Sequence, residues 1–577
     1  MTNMKKSVKK IGPFIPILLL LTVPVTSAFS PENMTAKPNA NTFGEEEWYT
    51  LFAPQYSKMT YLINCYKEVV HIWESTYIPG HSAYLLENGN LLRTAELLNP
   101  VFLSGGLGGG IQEIDWNNTL VWDFTYSSNT YALHHDIHSL PNGNILMIAW
   151  EVKNFSEAVA AGRNPNLVSP LFGLWPDHII EVQPSSRTSG DIVWEWHVWD
   201  HLIQDYDPSM ANYGVVGDHP ELIDINYAPA TGIGSDWLHT NSIDYNEELD
   251  QIILSIHNFN EIWVIDHSTT TEEAASHTGG RSGKGGDLLY RWGNPRTYRK
   301  GTMEDQKLFG QHDARWIDPG CPGEGNILIF NNGYGRPGIK YSSIDEIAPP
   351  IDNDGHYYSG TNEAYGPEEQ TWMYTAKNPT DFYAYMISGA QRLTNGNTMI
   401  CDGKKGIFFE VTHEKDTVWE YFNPYPTPLL NSVFKIESYP SYYSGLAKVT
   451  EQPRNPEKPS GPTNGAKGVQ YNFTTRTTDP QEGDVYYLFD WGDNTNSGWI
   501  GPYRSGEMVN ASHSWSRRGS FSIKVKAMDM YGHHSGWSDP LPVVMPCSYN
   551  GIIQPFLQRL FERFPAAFPF LRQLVGH

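Results

Sequence analysis

Leu140-Pro141-Asn142-Gly143-Asn144-Ile145-Leu146 is the stretch on which the fold turns. Asn-Gly set between alternating apolar residues is a strong hairpin signal, since both residues tolerate positive φ. The unit occurs again as Leu85-Leu86-Glu87-Asn88-Gly89-Asn90-Leu91-Leu92 and as Leu393-Thr394-Asn395-Gly396-Asn397-Thr398-Met399. Weaker copies occupy 245–254 and 322–329. A second unit, a short strand carrying a Trp, closes each repeat at Trp73, Trp122, Trp194, Trp292, Trp372 and Trp419. Repetition on this scale decides the architecture before any single residue does.

Six closing units stand against five opening ones. A closed propeller often builds its last blade from both chain ends, which leaves the ring no free sheet edge. Val433-Phe434-Lys435-Ile436 supplies the missing opening strand for the outer strands within 61–73. The sequence therefore predicts an all-β chain in which residues 47–447 form a six-bladed β-propeller. Blades of roughly 65 residues are long and require insertions, which fall at 165–176, 200–235 and 349–371. The tryptophans read as packing between blades.

Composition agrees. The 577 residues are 40% hydrophobic and include 19 Trp, 33 Tyr and 24 Phe, enough apolar surface for a large core,. A formal charge of −24 argues against general nucleic-acid binding,. A small anionic substrate stays compatible, because a local site overrides the global field. Cys65, Cys321, Cys401 and Cys547 form no C-x-x-C pair, which excludes a zinc knuckle or a thioredoxin-type motif and leaves one long-range bridge open,.

Residues 1–28 read as an export signal: Lys5, Lys6, Lys9 and Lys10, an apolar stretch over 14–25, then Thr26-Ser27-Ala28,. That stretch is shorter than the ~20 residues needed to span a bilayer. An extracellular, cell-surface or periplasmic location follows. Residues 448–464 shift to Pro, Asn, Lys and Gly and read as a linker, and 465–546 alternate with period two like a small immunoglobulin-like β-sandwich,. The Asp490-Trp491-Gly492-Asp493 turn and His513-Ser514-Trp515 resemble polycystic-kidney-disease-type (PKD) modules. Asp490, Asp493 and Asn494 read as a turn or as calcium ligands. The tail 548–577 has apolar residues at helical spacing, broken by Arg559, Glu562, Arg563 and Arg572. It is expected to be a short amphipathic helix suited to docking or membrane-surface association.

In a propeller the innermost strands line a central channel, so residues at their starts converge. Histidines recur there: His81, then His134, His135 and His138, then His239, then His312. His134-His135-Asp136-Ile137, His239-Thr240-Asn241-Ser242 and Gln311-His312-Asp313-Ala314 resemble motifs of the arylsulfate sulfotransferases, as do Ala390-Gln391-Arg392-Leu393 and Phe409-Glu410-Val411. The similarity spans about residues 60–446. It implies transfer of a sulfuryl group from an aryl sulfate donor to a phenol acceptor through a transiently sulfated histidine, with no cofactor and no metal. By motif position His312 is the nucleophile, His239 and Asn241 contact the sulfuryl group, and His135 faces the channel. His257 and His138 complete the expected substrate contacts.

One position departs from the family pattern: His257, eighteen residues after His239, stands where the family places an arginine. Histidine binds an oxyanion strongly only when protonated, whereas arginine is always charged. Some family members also carry a disulfide near the nucleophile, and Cys321 has no sequence neighbour to form one. Two other readings stay open. His135, His239, His257 and His312 together suit a transition-metal lyase or hydrolase, and the sandwich suits a non-catalytic adhesion propeller. Finally, Gly279-Gly280-Arg281-Ser282-Gly283-Lys284-Gly285-Gly286 fails the phosphate-loop pattern and reads as a flexible insertion,.

Overall fold

The structure is a computed structural model that describes residues 48–227, 234–352, 355–358, 363–530, 532–546 and 553–564. The expected export signal lies outside these residues, as do 548–552 and 565–577 of the expected tail.

Six four-stranded antiparallel sheets fill residues 48–440. Their first strands are Val433–Pro440 (sheet 1), Pro79–Leu85 (sheet 2), Tyr131–Ser139 (sheet 3), Thr240–Asn246 (sheet 4), His312–Trp316 (sheet 5) and Gly389–Arg392 (sheet 6). Sheet 1 joins both ends of this region, because Val433–Pro440 pairs with Trp48–Pro54 ahead of Met59–Asn64 and Val69–Glu74. Each first strand neighbours those of the sheets before and after it, and sheet 1 neighbours both sheet 6 and sheet 2. The long insertions lie in connections between the strands of these sheets, and the 200–235 insertion carries a parallel pair of its own, Leu202–Ile203 with Ile223–Asp224.

The repeated hairpin differs from the expected two-residue turn. Leu140 N–H donates to Asn144 O and Gly143 N–H to Leu140 O, enclosing three residues. Only the glycines are left-handed, at φ 85°, 84° and 86° for Gly89, Gly143 and Gly396. A type I turn closed by a left-handed glycine satisfies the strand twist without asking Asn for positive φ. The Asn after each glycine has another task. Asn90, Asn144 and Asn397 donate to Glu113, Glu181 and Glu410 of the third strand at 2.5–2.6 Å, and Asn326 does the same to Glu346 at 2.7 Å.

The six closing tryptophans are buried on the outer strands. Five of the indoles donate to the next sheet: Trp122 to Ser189 O, Trp194 to Thr269 Oγ1, Trp292 to Pro367 O, Trp372 to His413 O and Trp419 to Cys65 O. Trp73 instead packs edge-on against Trp116 of sheet 2, with ring centroids 5.2 Å apart. Sheet 6 thereby grips sheet 1, and each buried N–H except that of Trp73 has its acceptor,.

Beyond 458, Tyr471–Thr475 pairs with Val509–His513, and Ile500–Tyr503, Val485–Asp490, Gly519–Asp529 and Leu541–Met545 make a four-stranded sheet. Phe473, Tyr487, Trp491, Trp515 and Val525 fill the core between them. Asp493 accepts from Thr495 N–H and pairs with His513 at 2.9 Å, so this carboxylate is committed to the turn. Ile553–Arg563 is helical. Among the described residues no helix is long and apolar enough to cross a membrane.

Candidate active site

The first strands of sheets 2 to 5 all break register near their starts: at Pro79/Ala83, Leu133/Ile137, Thr240/Ser242 and His312/Arg315. In the same places His81, His135, His239 and Asp313 are left-handed, at φ 117°, 53°, 56° and 49°. A bulge re-aims a side chain out of the normal alternation, and such strain persists only where the surroundings enforce it. Here it gathers the imidazoles.

Ring centroids run in file: His81 to His135 at 5.3 Å, His135 to His239 at 4.5 Å, His239 to His257 at 5.3 Å and His257 to His312 at 5.5 Å. Phe434 of sheet 1 packs against His81, His135 and His312 at 4.9, 5.9 and 6.1 Å, closing the file into an arc.

Each of three rings is tied at Nδ1. Asn332 donates its amide to Ala384 O and Ile387 O, so its Oδ1 can only accept, and His312 Nδ1–H donates to it at 2.9 Å. Asn258 likewise donates to Trp237 O, and its Oδ1 faces His257 Nδ1 at 3.0 Å. His239 Nδ1 meets the buried Asp236 carboxylate at 2.6 Å, which Ser104 and Trp150 also contact. These partners fix the tautomer and leave Nε2 of His312 and His257 as bare lone pairs.

Charge is divided unevenly along the file. Burial alone would lower the His239 pKa, but the charge and hydrogen bond of Asp236 override it and raise it. Burial, followed by the charge of His257, holds His312 down to about 3. Burial and the His239 charge hold His257 and His81 to about 4 and His135 well below its ordinary value. At neutral pH His239 is thus the ring of the arc pushed toward the imidazolium form, among neutral imidazoles.

A strap crosses the site at Gly106, left-handed at φ 87°, whose carbonyl accepts from His135 N–H at 2.8 Å. A Cβ there would lie 1.9–2.3 Å from the His135 ring. Gly106→Ala is therefore expected to displace His135 and lower the turnover of this site by about 10²-fold, the cost of an ångström-scale misplacement. Steady-state kcat with an unchanged far-ultraviolet dichroism spectrum checks this; kcat within twofold of wild type refutes it.

Of the residues expected from sequence, His135, His239, His257 and His312 come together. Asn241 is fully buried beside them, with its amide nitrogen donating to Gln311 O at 2.8 Å, the carbonyl just before His312. Ser255 Oγ reaches the same carbonyl at 3.4 Å. Asn241 thus fixes the start of the strand that carries His312. His138 is not in the arc. It stands three residues beyond His135, past the register break at Leu133/Ile137, and its Nδ1 pairs with Asp244 at 3.2 Å. There it lines a separate cavity of about 910 Å³ among the hairpin turns, with Tyr245, Trp316 and Asp318.

Between the two ends lies a buried ionic layer. Lys435 Nζ meets Asp136 at 2.8 Å and Asp313 at 3.3 Å, while Arg315 meets Asp313 at 3.0 Å and Glu437 at 2.6 Å. The roles of Asp236, Asn258, Asn332, Gly106 and Phe434 were not read from the sequence. The polar ones left a faint signal, since Asn258 adjoins His257 and Asp236 precedes His239 by three residues. Among the described residues, the one trio of such side chains with donor atoms within 4.8 Å of one another is His201, His277 and Asp287, outside the arc.

The arylsulfotransferase family model matches residues 104–425, more than half of the chain, and the PKD domain model matches 458–539. Arylsulfate sulfotransferase AssT of Escherichia coli is 26% identical over 267 residues, 41% of this chain and 40% of the relative. The chain thus spans about two fifths of the length of the curated relative it matches. The PKD domain of an M14-like peptidase from a Thermoplasmatales archaeon is 42% identical, covering 17% of this chain and 98% of that one, with a TM-score of 0.16. With its histidine motifs inside the matched span, the chain belongs to the arylsulfotransferase family and carries a C-terminal PKD domain.

Proposed function

We propose that this is an exported six-bladed propeller enzyme that moves a sulfuryl group from an aryl sulfate to a phenol through a sulfated His312. The cyclic order of the sheets and their indole links support the propeller, and the basic and apolar start of the chain supports export,. One observation carries the reaction: His312 is neutral, with Nδ1–H anchored on Asn332 and Nε2 bare.

In the first half-reaction Nε2 of His312 attacks sulfur and the bond from sulfur to the aryl oxygen breaks. The imidazolium of His239, held by Asp236, gives its proton to the departing phenolate. His312 keeps its Nδ1 proton on Asn332. In the second half-reaction the acceptor phenol hands its proton to His239, its oxygen attacks sulfur, and the bond from sulfur to Nε2 breaks. Incubation with an aryl sulfate and no acceptor should add one sulfuryl group to the intact mass, discharged by phenol and absent in His312→Asn. Turnover without that adduct refutes the intermediate, and binding without turnover would mark a non-catalytic propeller.

His257 makes donor binding pH-dependent. Its pKa of about 4 leaves it neutral in the empty site, whereas a sulfuryl oxygen against Nε2 favours the protonated form. Between the free and bound pKa values, binding takes up one proton. Affinity for a non-reactive aryl sulfonate is therefore expected to fall about tenfold per unit rise in pH across roughly pH 5–7. His257→Arg carries a permanent charge and should flatten this slope. Calorimetric titration at several pH values checks it, and equal slopes in both proteins refute the role.

A further inference from the structure

The Gly-rich stretch that fails as a phosphate loop, and reads from sequence as flexible, is a hydrogen-bonded wrap. Gly285 N–H donates to Gly279 O, Gly286 N–H to Ser276 O, and Ser282 N–H to Asp266. Inside it Asp287 Oδ1 lies 2.8 Å from His201 Nδ1 and 2.7 Å from His277 Nδ1. The His201 side chain is fully buried and Asp287 nearly so, while His277 is 60% exposed and opens the group to solvent.

The hydrogen bonding of His201 points to a cation. Its Nε2 lies 2.8 Å from Ala274 O, a carbonyl that can only accept, so Nε2 carries the proton,. Nδ1 faces a carboxylate oxygen of Asp287 at 2.8 Å, a contact that either a proton or a metal ion held between the two atoms satisfies,. A backbone carbonyl on the far ring nitrogen is the usual outer partner of a metal-bound histidine. The wrap preserves this contact. A Cβ on Gly286 would lie 2.0 Å from Ala274 O and 2.6 Å from His201 Nε2. Trp196 stacks on His201 at 5.7 Å and donates to Gly286 O at 2.7 Å.

We propose that His201, His277 and Asp287 bind a divalent transition-metal ion of the zinc class. Two imidazole nitrogens and one carboxylate oxygen suit zinc, with the fourth position open toward solvent beside His277. The donors come from two parts of the chain: His201 from the 200–235 insertion, and His277 and Asp287, ten residues apart, from the stretch between the helix Thr271–Ala274 and Tyr290–Trp292. The ion would clip the insertion to sheet 4, outside the histidine arc and independent of its chemistry.

Full-length protein stripped with a chelator and titrated with Zn²⁺ tests this. Wild type should bind one equivalent more than His277→Ala, with affinity for that equivalent weakened more than about 100-fold in the variant. Zn²⁺ should also raise the unfolding temperature of wild type but not of the variant. His277 is exposed, so its truncation leaves the core intact, and Asp287→Asn, which keeps the shape of the group, should lose the same equivalent. Identical titrations for wild type and both variants, or no Zn²⁺ bound by wild type, overturn the site.

Discussion

His312→Asn is expected to lower aryl-sulfate turnover by a factor on the order of 10⁴–10⁶, the cost of removing a covalent nucleophile. Asparagine keeps roughly the size of the residue and can still meet Asn332, but it offers no basic nitrogen. The neighbours that bind the sulfuryl group stay in place, so affinity for the donor should change far less than kcat. The geometry makes the prediction specific. Asn332 holds the His312 proton on Nδ1, and Nε2 is the only nucleophilic atom the ring has left. A low pKa costs some nucleophilicity but keeps the ring deprotonated through the whole neutral range. The check is single-turnover kinetics beside steady-state kinetics; loss of less than about tenfold would place the nucleophile elsewhere.

Lys435→Met should be the most destabilising single change in the channel. The ammonium is buried against Asp136 at 2.8 Å and Asp313 at 3.3 Å, and Asp136 is itself fully buried. Burial would lower the Lys435 pKa, but the carboxylates of Asp136, Asp313 and Glu437 override it and raise it. Methionine fills the space and leaves Asp136 as a buried charge with no cation, which costs about 3–5 kcal/mol. Pairing Lys435→Met with Asp136→Asn should recover part of the loss, because the uncompensated charge goes with it. The exposed pair Arg476–Glu457 is the control, and Arg476→Met should cost no more than about 1 kcal/mol,. Denaturant unfolding followed by tryptophan fluorescence reads both, and equal midpoints would show that the layer contributes nothing net.

Much of the sheet pattern was legible because its signals are local. A glycine that must be left-handed, an asparagine after it and a Trp on the outer strand recur within each unit, and each is satisfied within that unit or the next. The details were less legible. The turn encloses three residues because only glycine needs positive φ. The 279–286 stretch is ordered by contacts with Asp266, Ser276 and Trp196, which a composition of glycines does not reveal.

The sequence by itself determined which residues the site draws on. His81, His135, His239 and His312 sit near the starts of first strands in successive repeats, so any closed arrangement of those repeats brings them together, and His257 joins them from the end of the second strand of the His239 sheet. Two things were decided only by tertiary structure. His138 stands outside the arc with its Nδ1 paired to Asp244 of the neighbouring sheet, and no reading of strand periodicity reports which partner another sheet offers there. The division of labour among the histidines is the other. His239 is pushed toward its charged form because Asp236 lies 2.6 Å away, and His312 is neutral because it is buried beside His257 and His239, which outweighs the opposing hydrogen bond to Asn332 twenty positions on. A pKa depends on what surrounds a group in space, so identical residues in identical repeats acquire opposite roles only once the sheets are assembled.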